Sequence, residues 1–168
     1  MTNNKKYKII FLPPSRWKEL RSLRLDSLEE EPLSFGASVE EESESPKNKF
    51  ADHLKAKHTL FVEVDHNLVG FVGFKRGERK RTKHVAEIGP LYVRRGFRKR
   101  GFGSALLSEV IALAKKEHIE KLRLEVSESS KAAIATYKKF GFKKAGKLKK
   151  EFKINGKYYD ILAFEKFI

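Results

Sequence analysis

Residues 98–107 of this 168-residue chain read RKRGFGSALL, three cations followed by two glycines and an apolar run. Glycines between a strand and a helix leave backbone N–H groups free at the helix N-terminus, where these donors and the helix dipole favour an anion. Glycine also lets a ligand come close, because it has no Cβ atom. The stretch therefore indicates phosphate binding, and the identity of the phosphate ligand is the open question.

The spacing of the glycines argues against two familiar nucleotide-binding turns. An ATP-type loop requires G-x-x-x-x-G-K-[ST], but here Gly101 is followed by Phe102 and Gly103. A dinucleotide-binding turn requires a small third residue, and Leu106 occupies that position. A nucleic-acid-binding arm stays open as an alternative, because the run RRGFRKR combines cations with aromatic residues on which bases can stack.

The composition indicates a folded domain whose charge is unevenly distributed. The chain has 13 Phe, 40% hydrophobic residues and no Cys, so it can bury a core but has no disulfide, thiolate metal site or cysteine nucleophile. The net charge is +15, yet residues 26–52 carry nine acids against two lysines, a net charge of −7. A nucleic-acid module has little reason to keep such a segment, so we do not expect nucleic acid as the main partner.

Apolar periodicity predicts a mixed sheet with helices on both faces, in the order β-α-α-β-β-β-α-β-α-β-β. The predicted strands are 7–12, 59–65, 68–74, 84–93, 121–126, 142–154 and 157–167. The predicted helices are 15–30, a second one ending near 56, 101–116 and 129–139. Asp65-His66-Asn67 and Asn155-Gly156 are typical hairpin turns. Because Pro90 cannot donate to a ladder, strand 84–93 is expected to bulge at Gly89-Pro90.

The chain contains neither repeats nor linkers, so we expect one domain over residues 1–168. The start, MTNNKKYKIIFLPPS, has an apolar run of only four residues, too short for a signal peptide or a membrane span. We therefore expect a cytoplasmic protein without membrane contact. The five histidines lack metal-binding spacing such as H-E-x-x-H, so no bound metal is expected.

The segment 84–142 resembles a known family. Arg98, Gly101 and Gly103 are similar to the R/Q-x-x-G-x-G/A signature of the GNAT superfamily of acetyl-CoA-dependent N-acetyltransferases. The preceding LYV and the following LRLEVSESSKAAIATYKKFGF resemble the family's adjoining strands, its next helix and its closing Gly-Phe. The resemblance implies a GNAT-like α/β fold with a mixed, mostly antiparallel seven-stranded sheet and about four helices. It also implies an acyltransferase of the EC 2.3.1 type whose cosubstrate is acetyl-CoA.

The resemblance further implies how the glycine turn holds coenzyme A. In the family, the amides of this turn bind the pyrophosphate, and the corresponding backbone N–H groups belong to Lys99, Arg100, Gly101, Phe102, Gly103 and Ser104. Nearby cations would offset the phosphate charge, and these are Arg95, Arg98, Lys99 and Arg100.

Two other segments are implied in coenzyme binding by the same resemblance. In the family, the strand before the turn splays from its neighbour at a bulge, so the exposed backbone around Tyr92, at Leu91 and Val93, would pair with the pantetheine arm like an added strand. Ser130 stands where the family commonly has an asparagine that contacts the coenzyme. Its hydroxyl can still form a hydrogen bond.

Acetyl transfer to an amine requires two proton movements, since the amine loses a proton and the departing thiolate gains one. The resemblance implies Tyr137 as the acid, because the family carries a tyrosine near the coenzyme sulfur at this point of the helix. Glu87, eleven residues before Arg98, matches a strand glutamate that acts as a base through water in some members. Partial burial would suit this carboxyl to proton transfer near neutral pH, and an outward-facing glutamate paired with a cation is the alternative.

In the family, the first two helices and the last hairpin shape the acceptor pocket, which implicates the acidic segment 26–52. Its carboxylates would attract a cationic acceptor, either a small-molecule amine or a peptide amine, whereas a solvated helix face is the alternative. Direct transfer in a ternary complex is the simplest mechanism, since no cysteine can form an acyl-enzyme. Two alternative functions stay open, a nucleic-acid-associated binding protein and a catalytically inactive acyl-CoA-binding domain. A homodimer is a possible assembly.

Overall fold

A computed structural model describes residues 7–168, so the first six residues of the expected domain lie outside the described part. Its seven strands are β1 (Lys8–Ile10), β2 (Thr59–Val64), β3 (Asn67–Arg76), β4 (Val85–Val93), β5 (Lys121–Ser127), β6 (Lys143–Ile154) and β7 (Lys157–Phe167). They form one sheet in the order β1-β2-β3-β4-β5-β7-β6. Only the β4–β5 pair is parallel among these neighbours, so the predicted fold class is confirmed.

The helices are α1 (Trp17–Glu30), α2 (Val39–Ser43), α3 (Lys47–Lys55), α4 (Phe102–Lys116) and α5 (Lys131–Lys139). The expected second helix is in fact two short helices, α2 and α3, and Pro46 lies between them. Pro46 has no N–H to continue α2, and it disfavours helical geometry at the residue before it. α2 begins instead at a capping box, in which Ser38 and Glu41 exchange backbone and side-chain hydrogen bonds.

Two apolar clusters cover the two faces of the sheet. On one face, α4 buries Leu106, Leu107 and Val110 against strand residues that include Ile88 and Leu122. On the other face, α1 and α3 pack against the aromatic side chains Phe61, Phe71 and Tyr92. Each face therefore has its own core, and strand β4 contributes side chains to both.

Two short loops close hairpins as the sequence predicts. Asp65 and His66 have φ of 47° and 64° between β2 and β3, and Asn155 and Gly156 have φ of 49° and 78° between β6 and β7. Positive φ at both central residues is the requirement of a type I′ turn. The second turn joins β6 to β7, and β7 lies between β5 and the edge strand β6.

β4 contains the predicted bulge, and the bulge marks the point where β4 leaves β5. Val72 of β3 pairs with Leu91, and Phe74 pairs with Ile88, so Gly89 and Pro90 lie opposite a single residue of β3. The parallel pairing with β5 also ends at Ile88. The C-terminal half of β4 therefore runs on without β5 beside it, which opens a gap in the sheet.

Two glycines allow the strands to approach at this bulge. A Cβ atom on Gly73 would lie 3.1 Å from the Cα of Gly89, and one on Gly89 would lie 3.2 Å from the Cα of Gly73. Both neighbours are backbone atoms, which cannot rotate away as a flexible side chain does. A side chain at either position would therefore push β3 and β4 apart.

We expect Gly73→Ala to lower the free energy of unfolding by about 1–3 kcal/mol, because the added methyl overpacks the bulge. The measurement is chemical denaturation, with Gly146→Ala as the matched control. Gly146 also lies in a strand, but a Cβ atom there meets nothing within 4 Å. Equal stability of the two variants would contradict this account of the bulge.

Candidate functional site

The turn between β4 and α4 has the backbone geometry of an anion-binding site. Lys99 and Gly101 have φ of 60° and 84°, so two left-handed residues lie on either side of Arg100. Left-handed residues placed in this way can turn successive N–H groups towards one concave surface. Gly101 is also the N-cap of α4, where the positive end of the helix dipole lies.

The amides of this turn are available to a ligand. Within residues 7–168, none of the backbone N–H groups of residues 99–104 donates to a protein acceptor, and the first helical bond runs from Ala105 N to Gly101 O at 2.9 Å. A Cβ atom at Gly101 would meet nothing within 4 Å, and one at Gly103 would touch only Leu91 and Val93 at 4.0 Å. This open cradle of donors fits a pyrophosphate.

The side chain of Arg98, a predicted phosphate partner, is engaged by groups of the protein itself. Its Nε donates to the carbonyl oxygen of Val93 at 2.8 Å, and its Nη2 donates to the Glu30 carboxylate at 3.0 Å. Its Nη1 lies 2.7 Å from the Glu31 carboxylate. Arg98 therefore ties the end of α1 to the end of β4, and two carboxylates already balance its charge.

The other predicted phosphate partners are better placed. Arg95, Lys99 and Arg100 are exposed, and the Arg100 guanidinium lies 5.3 Å from the ring centre of Phe97. In the described part of the chain, none of these three cations forms an ion pair. Their charge is therefore available to phosphate groups at the cradle.

A cavity of about 280 Å³ opens where β4 leaves β5. It is bounded by both strands, α5, the linker between α1 and α2 and the β6–β7 hairpin, including Glu87, Leu91, Glu125, Tyr137, Phe152 and Ile161. The structure thus brings together Glu87, Leu91 and Tyr137, which the sequence analysis singled out. Val93 and Ser130 lie outside this wall. Ser130 is the N-cap of α5, and its hydroxyl forms no capping hydrogen bond.

Tyr137 is buried in the inner wall of this cavity. Only 4% of the residue is exposed, and its ring packs edge-to-face on Phe142 with the centroids 6.0 Å apart. Burial raises the pKa of Tyr137 to about 12, because desolvation penalises the phenolate. The hydroxyl therefore stays protonated at neutral pH and can act as a hydrogen-bond donor.

Glu87 lies on the same wall but is not buried as expected. Its side chain is 55% exposed, and its Oε2 accepts a hydrogen bond from Arg123 Nη2 at 3.0 Å. The expected partial burial is therefore wrong, and the alternative of an outward-facing glutamate paired with a cation describes its geometry. The register explains this pair, since Glu87 lies directly opposite Arg123 in the parallel β4–β5 ladder.

Glu125 is a second carboxylate of the cavity that the sequence analysis missed. It is exposed and lines the same wall as Glu87 and Tyr137, and among the described residues it forms no ion pair. It directly follows Leu124, the last β5 residue that pairs with β4. Only the β4–β5 register places Glu125 opposite the gap, and this register is not readable from the sequence.

Tyr92 can serve the predicted coenzyme site only through its backbone. Its side chain is 2% exposed and packs on Phe71 in the core under α1, with ring centroids 5.7 Å apart. Within residues 7–168, no group forms a hydrogen bond of regular geometry with its hydroxyl, and the Glu30 carboxylate is a nearby acceptor. Burial, aided by the nearby Glu30 carboxylate, raises the pKa of Tyr92. The phenol is thus a neutral part of the core.

The acidic segment 26–52 does not supply the carboxylates of the cavity, in contrast to the expectation. Many of its acids bind cations of the protein itself, in the pairs Asp26–Arg94, Glu30–Arg98, Glu31–Arg98, Glu42–Arg24, Glu42–Lys49 and Asp52–Lys55. The segment contributes Leu33, Ser34 and Gly36 to the cavity wall, and these residues are uncharged. The carboxylates of the cavity come from β4 and β5 instead.

The described residues contain neither a cluster of metal-ligating side chains nor a membrane-spanning helix. Between residues 7 and 168, no group of three or more His, Cys, Asp or Glu side chains is arranged to hold a metal ion. No helix in the same range has the length and apolar character needed to cross a bilayer.

Comparison with known proteins agrees with this geometry. The sequence profile of the acetyltransferase (GNAT) family matches residues 17–142. The L-amino acid N-acetyltransferase AaaT of Escherichia coli (strain K12) is 34% identical over 115 residues, which cover 68% of this chain and 70% of that protein.

Solved structures show the same fold. A GNAT-family acetyltransferase from Streptococcus pneumoniae superposes with a TM-score of 0.86 at 24% identity, covering 96% of this chain and 99% of that one. The acetyltransferase yncA from Salmonella typhimurium, solved with its cofactor acetyl-CoA, has a TM-score of 0.81 at 15% identity, covering 97% and 94%.

The seven-stranded sheet, with one strand that leaves its neighbour at a bulge, is the fold that these acetyltransferase structures share with the chain. The match over residues 17–142 shows that the chain belongs to the GNAT acetyltransferase family. It is an N-acetyltransferase, and acetyl-CoA fits the family as its cosubstrate.

We expect Gly101→Val to weaken acetyl-CoA binding at least about tenfold, because a β-branched residue disfavours the left-handed backbone that orients the cradle amides. Gly96→Val is the matched control, since Gly96 has equally open surroundings and no positive φ. Calorimetric titration gives the affinity, and thermal melting confirms that both variants are folded. An unchanged affinity of Gly101→Val would exclude the cradle as the pyrophosphate site.

Tyr137 also predicts a pH dependence of stability. Its folded-state pKa of about 12 exceeds the ordinary value of about 10, so the unfolded chain loses this proton first. The stabilisation is complete below about pH 10 and is lost as the pH rises towards 12. Between pH 9 and 11 the wild type should therefore lose about 1 kcal/mol more unfolding free energy than Tyr137→Phe. Urea denaturation measures this difference, and the half-exposed Tyr158 provides the control variant Tyr158→Phe.

Proposed function

We propose that this protein moves the acetyl group of acetyl-CoA directly to a primary amine, carried by a small molecule or a peptide, in a ternary complex. One observation carries the proposal: the unpaired half of β4 joins the open amide cradle to a cavity whose wall contains Tyr137, Glu87 and Glu125. The turn proposed to bind phosphate and the cavity residues proposed to transfer protons are thus connected by one strand, β4.

The coenzyme is held chiefly by backbone groups in this proposal. The amides of residues 99–104 bind the pyrophosphate, and exposed side chains of the same turn balance its charge. The backbone of residues 91–93 pairs with the amide-containing pantetheine arm, because β5 no longer occupies that side of β4. The thioester then lies at the cavity, beyond the bulge.

Acetyl-CoA supplies an activated acetyl thioester to this cavity. Tyr137 donates a hydrogen bond to the sulfur as the C–S bond breaks. A thiol has a pKa near 8.5, below that of Tyr137, so the phenol stabilises the developing thiolate chiefly by this hydrogen bond. This hydrogen bond strengthens only as negative charge forms on sulfur. It therefore stabilises the transition state more than the bound substrate, and this difference raises the rate.

The cationic amine first loses one proton to water, because only the neutral amine has the lone pair that attacks the thioester. A carboxylate of the cavity accepts the second proton that nitrogen loses as the C–N bond forms and the C–S bond breaks, and the released thiolate takes up a proton from water to leave as the thiol. Glu87 and Glu125 both line the wall, but Glu87 is held by Arg123, whereas Glu125 has no ion-pair partner among residues 7–168. The amine, which is cationic in water, is also attracted by both carboxylates. We propose Glu87 or Glu125 as the base, acting directly or through one water.

The relatives support both substrates of the proposed reaction. The E. coli relative is named an L-amino acid N-acetyltransferase, which supports an amine as the acceptor. The yncA structure contains acetyl-CoA, which supports the donor. Neither comparison identifies the acceptor of this chain, so the experiment uses a panel of amines.

With acetyl-CoA and an amine panel, we expect release of one thiol for each acetylated amine. Tyr137→Phe should lower kcat roughly a hundredfold, because the developing thiolate loses its donor. The affinity for acetyl-CoA should stay within a few-fold, since the backbone cradle is unchanged. Thiol release and product mass spectrometry measure the reaction.

Separate outcomes decide between the alternatives. Full kcat in Tyr137→Phe would remove the phenol from the mechanism. Binding of acetyl-CoA without turnover of any amine would support an inactive acyl-CoA-binding domain. Comparison of Glu87→Gln with Glu125→Gln identifies the base, because its loss removes the acidic limb of the kcat profile, whereas loss of the other carboxylate acts mainly on KM.

A further inference from the structure

A second cavity, of about 350 Å³, lies beside Glu87 on the side of the β3–β4 loop. Its charged wall residues come from the end of β3, the loop, β4 and β5: Lys75, Arg76, Glu78, Arg79, Glu87 and Arg123. Four of these side chains are cations and two are acids, so the cavity carries net positive charge. This differs from the first cavity, whose charged wall residues are carboxylates.

The ion pairs leave two guanidinium groups of this cavity without a carboxylate. Lys75 pairs with Glu78 at 3.2 Å, and Arg123 pairs with Glu87 at 3.0 Å. Within the described chain, neither Arg76 nor Arg79 forms an ion pair. The positive charge that remains is therefore carried by two arginines only three positions apart.

The loop geometry orients one of these arginines. Arg76 Nε donates to the carbonyl oxygen of Lys83 at 2.7 Å, which fixes its planar head across the base of the loop and leaves both Nη groups available. The loop itself is closed by Thr82, whose amide and hydroxyl both donate to the carbonyl oxygen of Arg79. Arg79 thus sits on a structured turn.

Two available guanidinium groups in one concavity suit an oxyanion. The rigid fork of N–H donors matches the two oxygens of a carboxylate or the oxygens of a phosphate, and such hydrogen bonds are stronger than neutral ones. Arg123 adds a third guanidinium, of which only Nη2 is used on Glu87. The wall is therefore complementary to a negatively charged group.

Glu87 lines both cavities, and this shared wall connects the oxyanion site to the site of acetyl transfer. We infer that the acceptor is an amine that also carries an oxyanion, a carboxylate or a phosphate. Its amine lies in the first cavity near Glu87 and Glu125, and its oxyanion binds Arg76 and Arg79 in the second. This inference rests on the proposed function, because it names the substrate class of the same site.

The experiment compares matched amines for binding to the protein saturated with coenzyme A. Leucine against leucinamide tests a carboxylate, and phosphoethanolamine against ethanolamine tests a phosphate. In at least one pair, we expect the member that carries the oxyanion, leucine or phosphoethanolamine, to bind about tenfold tighter or more. Charge-assisted hydrogen bonds to two arginines allow a difference of this size. Titration calorimetry measures the affinities, and the pair with the larger ratio distinguishes the two oxyanions.

Arginine variants test the site itself. Arg79→Gln should reduce the preference for the oxyanion-bearing amine to less than about threefold, whereas Arg81→Gln should leave this preference unchanged. Arg81 lies in the same loop and is exposed, but it does not line the cavity, so it matches the charge change. Thermal melting checks that both variants are folded.

The outcomes separate this inference from the proposed function. Three outcomes would overturn the oxyanion site. They are equal binding within both pairs, no binding of leucine or phosphoethanolamine, and an unchanged preference for the oxyanion in Arg79→Gln. Acetylation only of amines that lack an oxyanion would also overturn the oxyanion site, but it would leave the proposed acetyl transfer intact. An oxyanion preference that depends on Arg79, without acetylation of any amine, would support the site and count against the proposed function.

Discussion

The close contact between Gly73 and Gly89 is the constraint on which the site depends. A Cβ atom on Gly73 or Gly89 would lie 3.1 or 3.2 Å from the opposite backbone, so a side chain on either strand would force the backbone to shift by a few tenths of an ångström. This approach accommodates the extra residue in β4, and β4 loses β5 as a partner at the same point. The gap supplies both the cavity and an unpaired strand edge, so one local departure from regular pairing creates the room for both substrates.

The glycine turn is anchored by contacts within the protein. Arg98 binds the last carbonyl oxygen of β4 and two carboxylates at the end of α1, while Glu30 also accepts the backbone N–H of Arg95 at 3.0 Å. Within residues 7–168, no backbone acceptor pairs with the amides of residues 99–104 beside this anchor. A cradle whose geometry is fixed in advance does not have to be ordered when a phosphate binds.

The fold was largely predictable because its determinants are local. Two hairpin turns, the strand alternation and the Gly-Pro bulge each depend on residues next to one another, and the structure confirms them. The split of the second helix at Pro46 is also local, and the proline was a visible signal for it.

The wall of the site was less predictable because it depends on partners distant in sequence. The exposure of Glu87 follows from its register with Arg123, and the internal role of Arg98 follows from acids 67 and 68 positions earlier. The pairing of the acidic segment with the protein's own cations likewise requires the packing of α1 against β4. Motif spacing identified the residue types, whereas the tertiary contacts determine which charges are free.

In the proposed reaction, the salt bridges between Arg98 and the end of α1 also connect the acceptor site to the coenzyme site. The linker that follows α1 contributes Leu33, Ser34 and Gly36 to the cavity wall, so a rearrangement of this segment around an acceptor would reach the coenzyme turn through Glu30 and Glu31. Such a coupling is reciprocal in free energy, since each ligand must change the affinity of the other by the same factor. A change of acceptor preference that acts through the end of α1 would then alter coenzyme affinity as well.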